Sequence, residues 1–185
     1  MSKCIWATKT KIEEDYHDNE WGIPVHDDKK LFELIILEGQ QAGLSWHTIL
    51  SKREGMRAAY YNFDPKILSK LTDSDVDFYM NDNRIIKNRL KIKSVINNAN
   101  AYFKLIEKYD SLDNFLWSFV EYKTIQNMRK NHEDIPAKTE LSDKISNELK
   151  KLGFKFVGST TIYALMQSIG MVNDHIVSCK YYDRG

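Results

Sequence analysis

Apolar residues in much of the chain recur at intervals of three and four positions, the spacing of one face of an α-helix. The longest such stretch covers 92–106, and two shorter ones cover 141–152 and 162–169. Lys91, Lys93 and Lys104 fall on the polar side of the first stretch, so we expect all three to face solvent. No stretch alternates apolar and polar residues, and no Asn-Gly hairpin signal occurs. The pattern predicts an all-α fold.

Residues that favour helix starts precede several segments. Asp64 stands before Pro65, and proline fits the first turn of a helix. The run Thr72–Asp75 resembles a capping box, and Asp27 and Asp28 precede a strongly apolar segment at 31–37. We therefore expect helices to begin at these three places.

Composition indicates a globular protein. The 185 residues are 42% hydrophobic and 29% charged, with only 3 Pro and 8 Gly, which excludes a disordered or low-complexity chain. We expect a single domain over 1–185, divisible into one lobe of 1–45 plus 140–185 and another of 46–139. No apolar run approaches the ~20 residues of a membrane span. The net charge of +1 excludes a general polyanion binder, so any nucleic-acid contact must come from a local patch.

The only two cysteines each have a histidine at metal-ligand spacing, in Cys4-x12-His17 and His175-x3-Cys179. Two thiolates and two imidazoles form the tetrahedral set that zinc prefers, and a closed four-ligand site is structural. Such a site would join the N-terminus to the C-terminus. The alternatives are a disulfide and two unrelated buried thiols. The disulfide is disfavoured because no apolar signal segment is present, from which we expect a cytoplasmic, reducing location.

Two glycines five positions apart, Gly153 and Gly158, bracket a short apolar turn between the second and third predicted helices. Gly153 can end a helix in the left-handed conformation, and Gly158 would let a polyanion approach the backbone. The N–H groups of the next helix start would then face a phosphate, with Lys150, Lys151 and Lys155 adding positive charge. This is the logic of a helix-hairpin-helix DNA-binding element; the alternative is an ordinary helical hairpin. The candidate DNA-binding residues are Gly153, Lys155, Phe156, Gly158, Ser159, Thr160 and Thr161.

Aromatic residues concentrate in the first quarter of the chain, where Trp6, Trp21 and Trp46 occur together with Tyr16. Glu38 directly follows the apolar run 34–37, so its carboxylate is either a solvated helix end or a partly buried acceptor facing a cleft. An acidic group ringed by aromatic rings suits an electron-poor planar base. The alternative is a set of core aromatics.

Four segments, 16–22, 37–46, 153–158 and 172–175, resemble those of the bacterial 3-methyladenine DNA glycosylase I family, in the same order and across essentially the whole chain. The resemblance implies an all-α helix-hairpin-helix glycosylase fold. It also implies one structural zinc ion, held by Cys4, His17, His175 and Cys179.

The resemblance further implies a base pocket. Glu38 and Tyr16 would hydrogen-bond the adenine edge, and Trp46 would stack on the ring with Trp6 and Trp21 nearby. Glu38 is the candidate catalytic residue, mainly through recognition and charge. Leu44 and Gln41 are candidate wedges that fill the gap left by a flipped base.

Two positions depart from the family pattern. Glu13 stands where some relatives carry an aromatic residue. Asn173 stands where related helix-hairpin-helix glycosylases place a catalytic aspartate, and an amide is not a general base.

The implied function is a monofunctional hydrolase that excises 3-methyladenine from alkylated double-stranded DNA and leaves an abasic site. Free 3-methyladenine would be a product ligand, and we expect a monomer without membrane attachment. Two alternatives stay open, a non-enzymatic DNA-binding module and a hydrolase of another modified base.

Overall fold

Helices dominate the structure. The computed structural model describes residues 2–184, with side chains to Asp183. Within this range the α-helices are α1 (Lys11–Asn19), α2 (Asp28–Gln40), α3 (Trp46–Ala59), α4 (Pro65–Leu68), α5 (Asp73–Tyr79), α6 (Arg89–Tyr109), α7 (Leu112–Ser118), α8 (Glu140–Leu152) and α9 (Ser159–Ser168). None of them is long and apolar enough to cross a membrane.

The predicted helices are confirmed, and so are their starts. The apolar stretches at 92–106, 141–152 and 162–169 coincide with α6, α8 and α9. Asp27 caps α2 by accepting the Lys30 N–H at 2.7 Å. Asp64 caps α4 in the same way, and α5 begins with the expected capping box.

A short strand pair was not predicted. β1 (Ile125–Gln126) pairs in parallel with β2 (Val172–Asn173), with Ile125 opposite Val172. Strands of two residues are too short to show alternation, so no pattern in the sequence predicts them. The pair fixes the long 119–139 connection to the segment that leads into His175.

The prediction that Lys91 faces solvent is wrong. Its side chain is buried, and its Nζ donates to the carbonyl oxygens of Gln40 at 2.6 Å and Ala42 at 2.7 Å. These carbonyls belong to the end of α2 and the loop after it, where helical partners are missing. Lys93 is exposed as expected and pairs with Asp73.

Helix α2 forms the centre of the molecule, because every residue from Leu31 to Gln40 is buried. Gly39 permits the close approach of the α8–α9 turn, since a Cβ there would lie 3.1 Å from the Cβ of Phe156. The same helix carries Glu38. α2 therefore places the acidic group next to the hairpin.

Candidate functional site

A cavity of about 520 Å³ opens where the ends of α1 and α2, the start of α3 and one face of α9 meet. The structure brings all five predicted pocket residues together here, with the candidate wedge Gln41; their roles stay a prediction. The lining side chains are Trp6, Lys9, Glu13, Tyr16, Trp21, Glu38, Gln41, Ser45, Trp46, His132, Ile135, Ala164 and Gln167.

The aromatic rings form an angled box. The ring centroids of Tyr16 and Trp46 are 5.3 Å apart, and those of Trp6 and Trp21 are 5.1 Å apart. Among the described residues, the buried Tyr16 hydroxyl and Trp46 Nε1 have no partner at hydrogen-bond geometry. A buried polar group without a partner costs about 1–3 kcal/mol. Both groups are therefore suited to a ligand with polar edges.

Glu38 is almost completely buried at the end of α2. Burial raises the pKa of its carboxyl to about 8, and a hydrogen bond from the Ser168 hydroxyl lowers it in part. Since none of the described residues places a cation beside it, the carboxyl is largely protonated at neutral pH. A positively charged ligand would favour the ionised form.

Sequence reasoning missed seven residues of this region, among them Lys9, Ser45 and Ala164. Gln167 and Ser168 lie at the end of α9, and His132 and Ile135 come from the long connection before α8. Ser168 gave a signal, since it is a polar residue on the buried side of an apolar helix. Gln167, His132 and Ile135 gave none, because only the tertiary fold brings them to the pocket.

Of the two departures from the family pattern, Glu13 lines the pocket and Asn173 does not. Glu13 lies in the pocket wall and accepts a hydrogen bond from the Thr10 hydroxyl at 2.8 Å. Asn173 lies outside the pocket lining. Its amide donates to Gln126 at 2.8 Å, and its oxygen accepts the His175 N–H at 3.2 Å. Asn173 thus holds the backbone beside the metal-ligand candidates.

The turn between α8 and α9 begins with the left-handed helix end that was predicted at Gly153. Gly153 ends α8 with φ +102°, the left-handed region. Two side chains of α6 hold the turn. Asn97 donates to the Gly153 carbonyl at 2.5 Å, and Asn98 bonds both the N–H and the carbonyl of Lys155.

Gly158, the N-cap of α9, has a φ of −62° that any residue adopts. A Cβ there would meet nothing within 4 Å, so the fold itself does not require glycine. Lys155 and Thr160 are exposed beside it, whereas the Ser159 hydroxyl is engaged by Ser142 at 2.8 Å. The groups available for contact with a polyanion are thus the backbone at Gly158 and the side chains of Lys155 and Thr160. The Ser159 hydroxyl is not among them, because Ser142 engages it.

The candidate wedges lie in the loop between α2 and α3. Leu44 is 37% exposed, a large fraction for an apolar side chain, whereas Gln41 lines the cavity. Gly43 between them has φ +76° and turns the loop sharply.

A larger cavity of about 650 Å³ lies between α5, α6 and the hairpin turn. Its charged groups are Lys155 and the ion-paired Lys93 and Asp73, and none of the clustered tryptophans reaches it. It lacks an unpartnered polar group aimed inward. The smaller cavity is therefore the better candidate site.

The four predicted metal ligands form one buried cluster whose donor atoms lie within 4.8 Å of one another. The Cys179 sulfur is 3.7 Å from His17 Nε2 and 3.6 Å from His175 Nδ1. The Cys4 sulfur is also 3.6 Å from His175 Nδ1. Metal bonds of about 2.3 Å to sulfur and 2.0 Å to nitrogen at tetrahedral angles place these atoms about 3.6 Å apart. The cluster can hold a metal ion.

The surroundings of the cluster support this geometry. Both cysteines are free thiols in one cluster, so the alternatives of a disulfide and of unrelated thiols are wrong. Without a cation nearby, burial raises the pKa of the Cys4 thiol to about 12. Asp18 orients His17 through its Nδ1 at 2.9 Å, as outer carboxylates do at metal sites. Ser2 forms a bridge to Cys179, so the two ends of the chain meet here.

Comparison with known proteins places this site in context. A family described as methyladenine glycosylase matches residues 6–182. The chain belongs to this family. The DNA-3-methyladenine glycosylase of Haemophilus influenzae is 47% identical to this chain, with 96% of each chain covered. DNA-3-methyladenine glycosylase 1 of Escherichia coli is 46% identical, covering 98% of this chain and 97% of the relative.

Solved structures of the family have the same fold. The 3-methyladenine DNA glycosylase I from Staphylococcus aureus, determined to explain its 3-methyladenine recognition, has a TM-score of 0.96 at 34% identity, with 100% of this chain and 98% of that chain covered. A Y16F variant of a 3-methyladenine DNA glycosylase I, in complex with 3-methyladenine, has a TM-score of 0.94 at 35% identity, with 97% of each chain covered.

Proposed function

We propose that this protein is a DNA-3-methyladenine glycosylase, which excises 3-methyladenine from alkylated double-stranded DNA and leaves an abasic site. One observation carries the proposal. A buried carboxyl, Glu38, and the unpartnered polar atoms of Tyr16 and Trp46 face a cavity walled by aromatic rings. The relatives that share the fold supply the substrate class.

The pocket chemistry suits a cationic base. Methylation at a ring nitrogen of adenine places positive charge on the base and weakens the glycosidic bond. Aromatic faces favour a cation over a neutral base by roughly 0.5–2 kcal/mol per contact. Glu13, together with Glu38 once the cationic base favours its ionised form, adds negative charge to two walls of the same cavity.

The reaction needs little acid or base from the protein. Water forms a bond to C1′ of the deoxyribose and loses a proton to solvent, while the C1′–N9 bond breaks. Its electron pair moves to the base, which leaves as neutral 3-methyladenine without protonation. This fits an amide at Asn173. Glu38 therefore acts by recognition and charge, with no lyase step.

The hairpin and its neighbouring loop supply the DNA contacts in this proposal. DNA backbone would approach Gly158, whose open surroundings admit a phosphate to the N–H groups of α9. Lys155 would add a direct ionic contact, while Phe156 supports the turn. Leu44 and Gln41 would enter the duplex where the flipped base has left.

The metal cluster completes the proposal as a structural zinc site. Its four ligands leave no open position for a substrate, and the site lies at the meeting point of the two chain ends. The single chain supplies every wall of the pocket, so we propose that the protein acts as a monomer on double-stranded DNA.

Duplex DNA treated with a methylating agent tests the activity. We expect release of free 3-methyladenine and abasic sites in unbroken strands, with 7-methylguanine from the same DNA as the control base that stays bound. Binding without base release would support a DNA-binding module instead. Release of a different base alone would support the other hydrolase.

A further inference from the structure

A second hydrogen-bond acceptor lies in the wall of the pocket, at the end of α9. Gln167 lines the cavity, and its Nε2 donates to Asp174 Oδ2 at 2.8 Å. Its Oε1 accepts no hydrogen bond from any of the residues that the structure describes. This amide is the only one on the α9 wall of the cavity.

Asp174 decides which way this amide faces. The carboxylate is fully buried and ion-paired to Arg129 at 3.1 Å. It also accepts from Asn127 at 2.8 Å and from the Tyr163 hydroxyl at 2.6 Å. Arg129, Asn127 and Tyr163 already donate to the two carboxylate oxygens, so turning the Gln167 amide over would bring two acceptor oxygens together. Oε1 is therefore held away from Asp174 and available to the pocket.

We propose that Gln167 is a specificity-determining residue that accepts a hydrogen bond from the exocyclic amino group of the bound base, with Asp174 as its positioning residue. This assignment rests on the proposed function. The only N–H donors of 3-methyladenine are the two hydrogens of that amino group. Glu38 and Gln167 together supply two acceptors for them. A base with a carbonyl at the same position would place an acceptor oxygen against these acceptors, so no hydrogen bond would form there.

A cycle of two ligands and two proteins tests the contact. Binding of free 3-methyladenine and of 3-methylpurine, which lacks the amino group, is followed by calorimetry or tryptophan fluorescence. Gln167→Met keeps the length of the side chain and removes the acceptor. We expect it to weaken 3-methyladenine binding by about 3- to 10-fold and 3-methylpurine binding by less than about 2-fold.

Asn127→Leu is the matched control, because it also removes one donor to Asp174 but lies outside the cavity lining. We expect it to change the affinities for both ligands by less than about 2-fold. If Gln167→Met does not fold, Gln167→Asn, which withdraws the amide by one methylene, is measured in the same cycle under the same criteria.

The outcomes separate this inference from the proposed function. An equal loss for both ligands, or a matching loss in Asn127→Leu, overturns the role of Gln167. The role is also overturned if Gln167→Met prefers 3-methyladenine over 3-methylpurine as strongly as the wild-type protein does. If the wild-type protein binds neither base, the proposed function fails and the assignment fails with it.

Discussion

Glu38 shows how one residue gains its properties from its surroundings. Its position directly after an apolar run buries it at the end of α2, and burial raises its pKa to about 8. In the free protein, the charge that would stabilise a cationic base is therefore available only as the pH approaches that value.

The first prediction concerns the pH dependence of base release. In the wild-type protein kcat/KM should rise from pH 6 to pH 8 and level off above about 8, because the ionised carboxylate of the free enzyme is the active form. Glu38→Gln should abolish this rise and lower the rate by about 10- to 100-fold, the value of one charged hydrogen bond. Single-turnover release from methylated DNA measures both quantities.

Trp46→Ala is the control for this profile. Loss of the stacking face should weaken base binding and leave the shape of the pH profile unchanged. A Glu38→Gln loss beyond about 10⁴-fold would instead indicate general acid–base catalysis.

The second prediction concerns stability. The pKa of Glu38 is raised in the folded state above its value of 4.5 in the unfolded chain, so the folded protein holds an extra proton between those pKa values. This contribution to stability is full below about 4.5 and is lost as the pH rises toward about 8. Glu38→Gln should therefore gain stability relative to the wild type between pH 5 and pH 8. Parallel urea titrations that show a constant difference would contradict this.

At the scale of elements, the α8–α9 hairpin contains two glycines, and the backbone requires glycine at only one of them. Gly153 serves the fold, because its φ of +102° strains any other residue. Gly158 has an ordinary φ and open space around it, so the fold does not require glycine there, and the proposed phosphate contact is what its small size would serve.

The third prediction follows from this difference. Gly158→Ala should leave the free energy of unfolding within about 0.5 kcal/mol of the wild type and weaken binding to all DNA sequences alike, since only a phosphate contact is obstructed. Gly153→Ala should instead destabilise the protein by about 1 kcal/mol or more. Duplex binding at several salt concentrations, with chemical denaturation, measures both. Unchanged binding by Gly158→Ala would make the hairpin a structural turn.

The fourth prediction concerns the end of α2, where the Lys91 ammonium holds two carbonyls and the loop with the candidate wedges. Lys91→Met should lower stability by about 1–3 kcal/mol, because the buried Gln40 carbonyl and the partly buried Ala42 carbonyl lose their donor. Hydrogen exchange of 41–45 should become faster. Lys93→Met, on the exposed side of the same helix, is the control and should change stability by less than about 0.5 kcal/mol. Equal effects of the two variants would contradict the role of Lys91.

At the scale of the whole molecule, the cluster of two cysteines and two histidines brings the two ends of the chain together. Cys4 and His17 come from the first residues and His175 and Cys179 from the last, so a metal ion bound by these four side chains would close a loop of nearly the full sequence. Closing so long a loop restricts the unfolded chain strongly.

The fifth prediction is therefore one zinc ion per chain, measured by elemental analysis. Chelation should speed hydrogen exchange near both chain ends more than around α2. Cys179→Ser should abolish stoichiometric zinc, whereas substitution of His26, His47 or His132 should not. A zinc-free protein of unchanged stability would disprove the site.

The sequence by itself determined the helical class, the starts of α2, α4 and α5, the four residues of the Cys/His cluster and part of the pocket lining. These are local or compositional properties, since a cap needs only neighbours three positions away and a metal ligand is recognised by its side chain. The convergence of Cys4 with His175 was accessible because only two cysteines exist.

The tertiary structure alone decided what each residue contacts. Lys91 fits the polar side of α6 by periodicity, yet the end of α2 covers it. Gln167 and His132 reach the pocket from separate parts of the chain, and Asp174 orients Gln167 from beside a metal-ligand candidate. Periodicity reports which face of a helix is apolar, but only long-range packing determines which group of another element lies against it.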